Sequence, residues 1–197
     1  MKHVLLLSLL PGTALAVSPL VTDHAGTVEP GRRQLNAGYK FSRTASVSSH
    51  SFPINPVLGR SSRGELGATF GYQWTENSGN SDANSITDLT LATKWRLWQT
   101  AGDKLQLSSR LDLKLPTASR DRGLGTGNLD VGGVIIATRC WGHTCLDWNV
   151  GYTASDASRS VLGNDHCFVG QGVRHELAKC WILIGETYAL LPLSSGN

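Results

Sequence analysis

From about residue 30 onwards, apolar and polar side chains alternate with a period of two. Leu105, Leu107, Leu111, Leu113 and Leu115 share one parity, while Lys104, Gln106, Ser108, Arg110, Asp112 and Lys114 share the other. Successive side chains of a strand point to opposite faces, so this stretch carries an apolar stripe on one face and a charged row on the other. The pattern recurs in Leu66–Ala68–Phe70–Tyr72–Trp74, in Leu89–Leu91–Trp95–Leu97 and in Leu146–Trp148–Val150–Tyr152, each interleaved with polar or small residues. It predicts strands near 33–42, 47–58, 64–75, 86–98, 104–115, 128–139, 145–154, 166–174 and 180–190. Most are about ten residues long, against the 5–6 of an ordinary globular strand. Ten is about the number a tilted strand needs to cross a bilayer.

The connections alternate too. Glu76–Ser85, Pro116–Gly127 and Ser155–Asp165 are long, polar and rich in Gly, Ser or Asn, whereas Gln99–Asp103, Trp141–Thr144 and His175–Lys179 are short. A meander with its long loops all at one end is the pattern of a transmembrane barrel, with short turns on the periplasmic side. Tyr72, Trp74, Trp95, Trp148, Tyr152 and Trp181 fall at or near strand ends, where aromatic girdles meet the two membrane interfaces. The expected fold is all-β: an antiparallel transmembrane β-barrel of the bacterial outer membrane, with about 8–10 strands present and the barrel on residues 33–190. A soluble secreted barrel with an apolar core is the competing all-β reading.

Met1–Ala16 adds an address. Lys2 and His3 precede the apolar run Val4–Leu10, and Ala14-Leu15-Ala16 has the form of a signal-peptidase site. The apolar run is too short to span a membrane. A signal peptide over 1–16, an N-terminal periplasmic segment over 17–32 and a short tail over 191–197 complete the expected organisation. Composition agrees with an exported β protein. Charged residues make up 17% of the chain and 22 residues are Gly, which disfavours a helical bundle. A net charge of +3 with little Lys/Arg clustering does not suggest a nucleic-acid binder.

If the apolar parity faces lipid, the polar parity lines the lumen. The candidates are Asp88, Lys94, Arg96, Lys104, Arg110, Asp112, Lys114, Asp130 and Glu186. Pairing residues whose numbers sum to about 202 places Asp88 opposite Lys114 and Thr90 opposite Asp112. A sum near 244 places Lys114 opposite Asp130, so Lys114 lies between two carboxylates. Glu186 stands alone in the apolar stretch Trp181–Leu191, so it is pointed inward, as a member of a structural ion pair. Cys140 and Cys145 flank Trp141–Thr144, and a four-residue loop would set them opposite one another as a disulfide. Cys167 and Cys180 are expected to remain unbonded. No nucleophile–base pair, G-x-S-x-G or metal-ligand spacing occurs, so no catalytic residue, metal or cofactor is expected and the chain is read as a non-enzyme. Gly123–Gly127 lacks the Lys and helix of a phosphate loop.

The segment Pro19–Gly31, with its Pro-Leu-Val-Thr-Asp-His-Ala-Gly-Thr start, resembles the opening of the outer-membrane family named for the MetA pathway of phenol degradation. Leu113-Lys114-Leu115-Pro116-Thr117, Asn149–Thr153 and Gly185-Glu186 resemble later strands of that family. His24, Gln34-Leu35-Asn36 and Ala118 depart from its usual residues. The resemblance implies an outer-membrane barrel that passes small hydrophobic or aromatic compounds, with outer-membrane lipid and such solutes as its partners. The alternative is a structural or ligand-binding barrel with a filled lumen. About nine strands and an ending without a terminal aromatic strand residue raise the expectation of a C-terminally truncated chain, since single-chain bacterial barrels have even strand numbers. The sequence leaves oligomeric state open.

Overall fold

Alternation of this kind cannot be buried within one strand; it must be shared across neighbours so that each face stays uniform. The computed structural model, which describes residues 21–44, 47–77, 82–122, 124–125, 127–155, 165–179 and 181–193, has this arrangement. Its strands are β1 (Arg33–Ala37), β2 (Lys40–Thr44), β3 (Val47–Gly59), β4 (Gly64–Asn77), β5 (Ala83–Ile86), β6 (Leu89–Gln99), β7 (Leu105–Leu115), β8 (Asp130–Trp141), β9 (Thr144–Ser155), β10 (His166–Ala178) and β11 (Trp181–Pro192). They form one antiparallel sheet in the order β1-β3-β4-β6-β7-β8-β9-β10-β11, with β2 also on β3 and β5 also on β4. The expected leader (1–16), Cys180 and residues 194–197 of the expected tail lie outside the described residues.

One expected strand is divided and one short strand is new. The 33–42 strand breaks at Gly38–Tyr39: β1 pairs with Ile54–Leu58 and β2 with Val47–Ser51. The expected 86–98 strand is β6, on Gly64–Thr69; β5, on Tyr72–Thr75, falls mostly in Glu76–Ser85, expected as a loop, and a break at Thr87–Asp88 separates the two. In both cases the two pieces follow the same neighbour, so nine positions of a meander remain. The breaks are bends that let a long strand follow the curl of the sheet, and a hidden glycine or Asp-containing dipeptide does not interrupt period-2 patterning. The sheet curls into a half-barrel. Among the described residues β1–β2 lie at one edge and β11 at the other, with no pairing between them.

The two faces differ as alternation requires. Leu66, Phe70, Leu91, Leu111, Leu113, Val131, Ile135, Val150 and Val169 are exposed on the convex wall. The opposite parity turns towards the hollow and holds the buried residues Lys94, Ser108, Ile136, Thr138, Asp147, Asn149 and Ile184. The core is thus mostly polar and sits on the concave side. Part of it is supplied by residues 21–29, which cross the hollow before the chain turns at Glu29–Arg32 and enters β1. Gly31 takes a φ of 75° in that turn, and Gly31 and Gly59 are joined by an N–H···O bond of 2.9 Å.

Close approach of this segment dictates small residues in the wall. A Cβ at Gly59 would lie 2.0 Å from the Glu29 carbonyl oxygen, and one at Gly172 2.8 Å from Thr22 Oγ1. Gly172→Val should therefore lower stability by about 1–3 kcal/mol through overpacking. Gly185→Ala, whose new methyl meets nothing nearer than Val173 Cγ1 at 3.6 Å, should change it by less than about 0.5 kcal/mol. Urea unfolding midpoints of the two variants check the difference.

Candidate functional site

An extended segment with no strand beside it must bond its backbone groups elsewhere. Residues 21–28 do so with side chains of the concave wall. Glu186 on β11 accepts the Val21 N–H at 2.9 and 3.1 Å, the Thr22 N–H at 2.9 Å and the Thr22 hydroxyl at 3.0 Å. Asn149 on β9 accepts the Asp23 N–H at 2.9 Å and donates to the Asp23 carbonyl at 2.8 Å, as a neighbouring strand would. Thr138 on β8 accepts the Ala25 N–H at 2.8 Å, and the Ser108 hydroxyl on β7 donates to the Ala25 carbonyl. Lys94 on β6 donates to the His24 carbonyl at 3.2 Å, and Glu65 on β4 accepts the Val28 N–H at 2.6 Å. The segment is a strap that steps across the wall from β11 to β4. Each such bond contributes about 1 kcal/mol net, and more where a charge is involved.

Charge is concentrated at the middle of the strap. Asp23 faces Lys94 Nζ at 3.3 Å, Arg110 Nη1 at 2.9 Å and His24 Nδ1 at 3.2 Å. Lys94, only 4% exposed, also meets Glu65 at 3.1 Å, and Arg110 also meets Asp112 at 3.0 Å. Burial pushes the Asp23 carboxyl up, but Lys94, His24 and Arg110 together outweigh it and hold the group well below the usual carboxylate range. Two further clusters flank this one. Towards the long-loop end Lys114 contacts Asp130 and, at 3.7 Å, Asp88. Towards the turn end Arg174 binds Asp147 through Nε at 2.9 Å and Nη2 at 3.2 Å, and Asp147 accepts the Thr138 hydroxyl at 2.6 Å.

Of the expected lumen residues, Asp88, Lys94, Arg110, Asp112, Lys114, Asp130 and Glu186 thus come together on the concave side. Arg96 and Lys104 do not join these clusters: Arg96 donates to the Ser62 carbonyl at the turn end, and Lys104 is exposed beside β7. The expected register needs correction on one side. Lys114 does pair with Asp130, but across β6–β7 it lies opposite Thr90, and Asp112 lies opposite Ala92. The shift originates at the turn, where Gln99 already faces Gln106, three positions beyond the expected register; the bulge between Arg96 and Trp98 takes back one and leaves a shift of two. Lys114 still reaches Asp88 because its long side chain spans the offset.

Glu186 points inward, yet its partners are strap N–H groups and no cation pairs with it among the described residues. Cys140 and Cys145 are joined, directly opposite each other, across a two-residue turn Gly142-His143 rather than a four-residue loop. Gly142, at a φ of 54°, permits the tighter hairpin. Tyr72, Trp74 and Tyr152 lie on the convex wall towards the long-loop end, and Trp95, Trp148 and Trp181 towards the turn end. Trp74 stacks on His50 with ring centroids 4.6 Å apart. Sequence reasoning missed Glu65, Ser108, Thr138, Asp147, Asn149 and Asp23 itself. The first five share the parity of the lumen row, and that was their only local signal.

A curled antiparallel sheet, apolar outside and charged within, is the wall of a β-barrel protein. The chain belongs to the family described as "Putative MetA-pathway of phenol degradation", whose model matches residues 18–160. That match includes the strap as well as β1–β9. A search of curated proteins finds no match.

Because the Asp23 carboxyl is held low in the folded chain, its contribution to stability is complete above the unfolded carboxylate value of about 3.9. It is lost as pH falls through the lower folded value. Asp23→Asn should flatten the acid limb of stability against pH. Asp23→Ala, which leaves Arg110 and Lys94 short of a counter-charge, should cost about 3 kcal/mol at neutral pH. Denaturant unfolding between neutral pH and pH 2 reads both effects.

Proposed function

We propose that this protein is an outer-membrane β-barrel that takes part in the passage of small hydrophobic or aromatic compounds. The observation carrying this reading is the division of the sheet into an apolar convex wall and a charged concave one. A continuous belt of exposed Leu, Val, Ile and Phe is costly in water and stable against acyl chains. Family membership supports the association with phenol degradation, and the leader-like Met1–Ala16 supports export. The partners on this reading are outer-membrane lipid on one wall and solute on the other; no nucleic acid, metal or cofactor is needed, and no catalysis is assigned.

On this reading the charged residues of the hollow define the route. Arg110 and Lys114 are held by carboxylates, so they offer fixed positive charge beside fixed negative charge rather than a single-sign field. One observation favours a second reading. The strap occupies the hollow, with its own Ala25 and the wall residue Ser108 wholly buried where the two meet. A barrel filled in this way is a structural or ligand-binding protein unless the strap moves.

Two measurements separate these possibilities. The chain refolded in detergent should migrate faster unboiled than boiled, as closed membrane barrels do, and its liposomes should admit phenol faster than protein-free liposomes. A heat-shifted band with no added permeability would favour the filled barrel, and a single unshifted, aggregating band would remove the membrane reading for this chain. Val150→Arg, at the middle of β9 on the convex wall, should destabilise the refolded protein by about 2–4 kcal/mol in bilayers. Replacing Lys114 and Arg110 by neutral residues should shift the reversal potential in a salt gradient; unchanged potentials would take both out of the route.

A further inference from the structure

The convex wall carries a groove of about 370 Å³ lined by Arg139, Trp141, Leu146 and Trp148. Arg139 on β8 pairs with Leu146 on β9, and Trp141 and Trp148 lie two positions along from them on the same face. The floor is therefore two indoles and an isobutyl group, with one guanidinium at the edge. The Arg139 side chain is exposed and makes no ion pair or hydrogen bond to the described residues. Arg110 and Arg174, which point into the hollow, are both paired with carboxylates.

Depth decides what such a cation can meet. Arg139 lies two residues before the strand end at Trp141. At about 3.3 Å per residue, that is roughly 7 Å along a tilted strand, the level of lipid head groups when the wall spans a bilayer. Trp is favoured at that level because its ring is apolar and its N–H can donate to ester or phosphate oxygens. A guanidinium presents paired donors that match the oxygens of a phosphate. The links at this end add Arg60, Arg63, Lys104 and Lys179, while Glu176 there already faces His143 at 3.5 Å. The rim is thus net basic, which disfavours a head group that carries its own cation.

We propose that this groove binds an anionic phospholipid of the leaflet at the turn end, with its phosphate on Arg139 and an acyl chain against Leu146 and Trp148. The inference rests on the reading that the convex wall faces lipid. The assignment is to a lipid rather than free phosphate because three of the four lining side chains are apolar and would gain nothing from an inorganic anion.

The test uses the full chain refolded in detergent and titrated with brominated phosphatidylglycerol or brominated phosphatidylcholine, with tryptophan fluorescence as the readout. Half-quenching should need about five-fold less of the anionic lipid, the effect of one basic residue near an anionic surface. Arg139→Gln should remove that preference, Arg139→Lys should keep part of it, and Trp141→Phe with Trp148→Phe should remove the site's share of the quenching. Unboiled gel mobility and circular dichroism equal to the parent's establish that each variant is folded. Inorganic phosphate in large excess should not displace the lipid. Equal quenching by the two lipids in the parent, a preference that survives in Arg139→Gln, or displacement by inorganic phosphate would each overturn the proposal. Quenching by neither lipid would overturn the membrane reading on which it rests, a result distinct from loss of preference alone.

Discussion

The concave side of this protein depends on one carboxylate. Asp23 brings a negative charge into a hollow where Lys94 is almost wholly buried and Arg110 is partly buried, and it serves both cations as counter-charge. Glu65 and Asp112 complete the balance from the wall. The same residue anchors the backbone of the strap through Asn149, so charge neutralisation and chain placement are one event. The strap in turn ties β4 to β11, elements far apart in the meander. The path of residues 21–29 and the burial of Lys94 beneath it are tied to this cluster.

Small wall residues make that cluster reachable. Gly170 and Gly172 on β10 leave the space that Thr22 fills, and Gly59 leaves the space through which Val28 and Glu29 pass. In an isolated sheet glycines weaken a strand, because they cost entropy and pack nothing. Here the missing side chains are replaced by another part of the chain, so the wall is complementary to its own N-terminal segment. The glycine content that marks the composition is thus partly a record of this packing.

The two faces also divide the chemistry. Outside, exposed aliphatic residues are bordered at both ends by aromatic side chains, and at the turn end by Arg139, which pairs with no carboxylate among the described residues. Inside, nearly every charge has a partner, and Glu186 uses its carboxylate to hold N–H groups rather than a cation. Among the described residues the hollow sets the carboxylates of Asp23, Glu65, Asp88, Asp112, Asp130, Asp147 and Glu186 against Lys94, Arg110, Lys114 and Arg174, so its balance is negative. Its selectivity as a route would come from which paired groups a solute must displace, and from whether the strap stays in place.

Alternation along the chain sufficed to place the strands, their faces and the long-loop end, because period-2 patterning is a local property that any sheet must obey. It also brought Lys114 between Asp88 and Asp130, although one of the two registers behind that expectation was displaced at the turn after Gln99. The tight Gly142-His143 turn and the bends at Gly38–Tyr39 and Thr87–Asp88 were not legible, since turn choice and curvature follow from neighbouring strands. Least legible was the strap. Residues 17–32 have no periodicity, and on sequence alone they read as a segment outside the barrel. Their placement rests on bonds between residues up to 165 positions apart, from backbone groups that every sequence carries alike to polar side chains whose parity says only that they face inward. Alternation thus assigns each strand residue to the inner or the outer face. What the inward residues meet is set by the fold, because a backbone N–H has no residue identity to announce its partner.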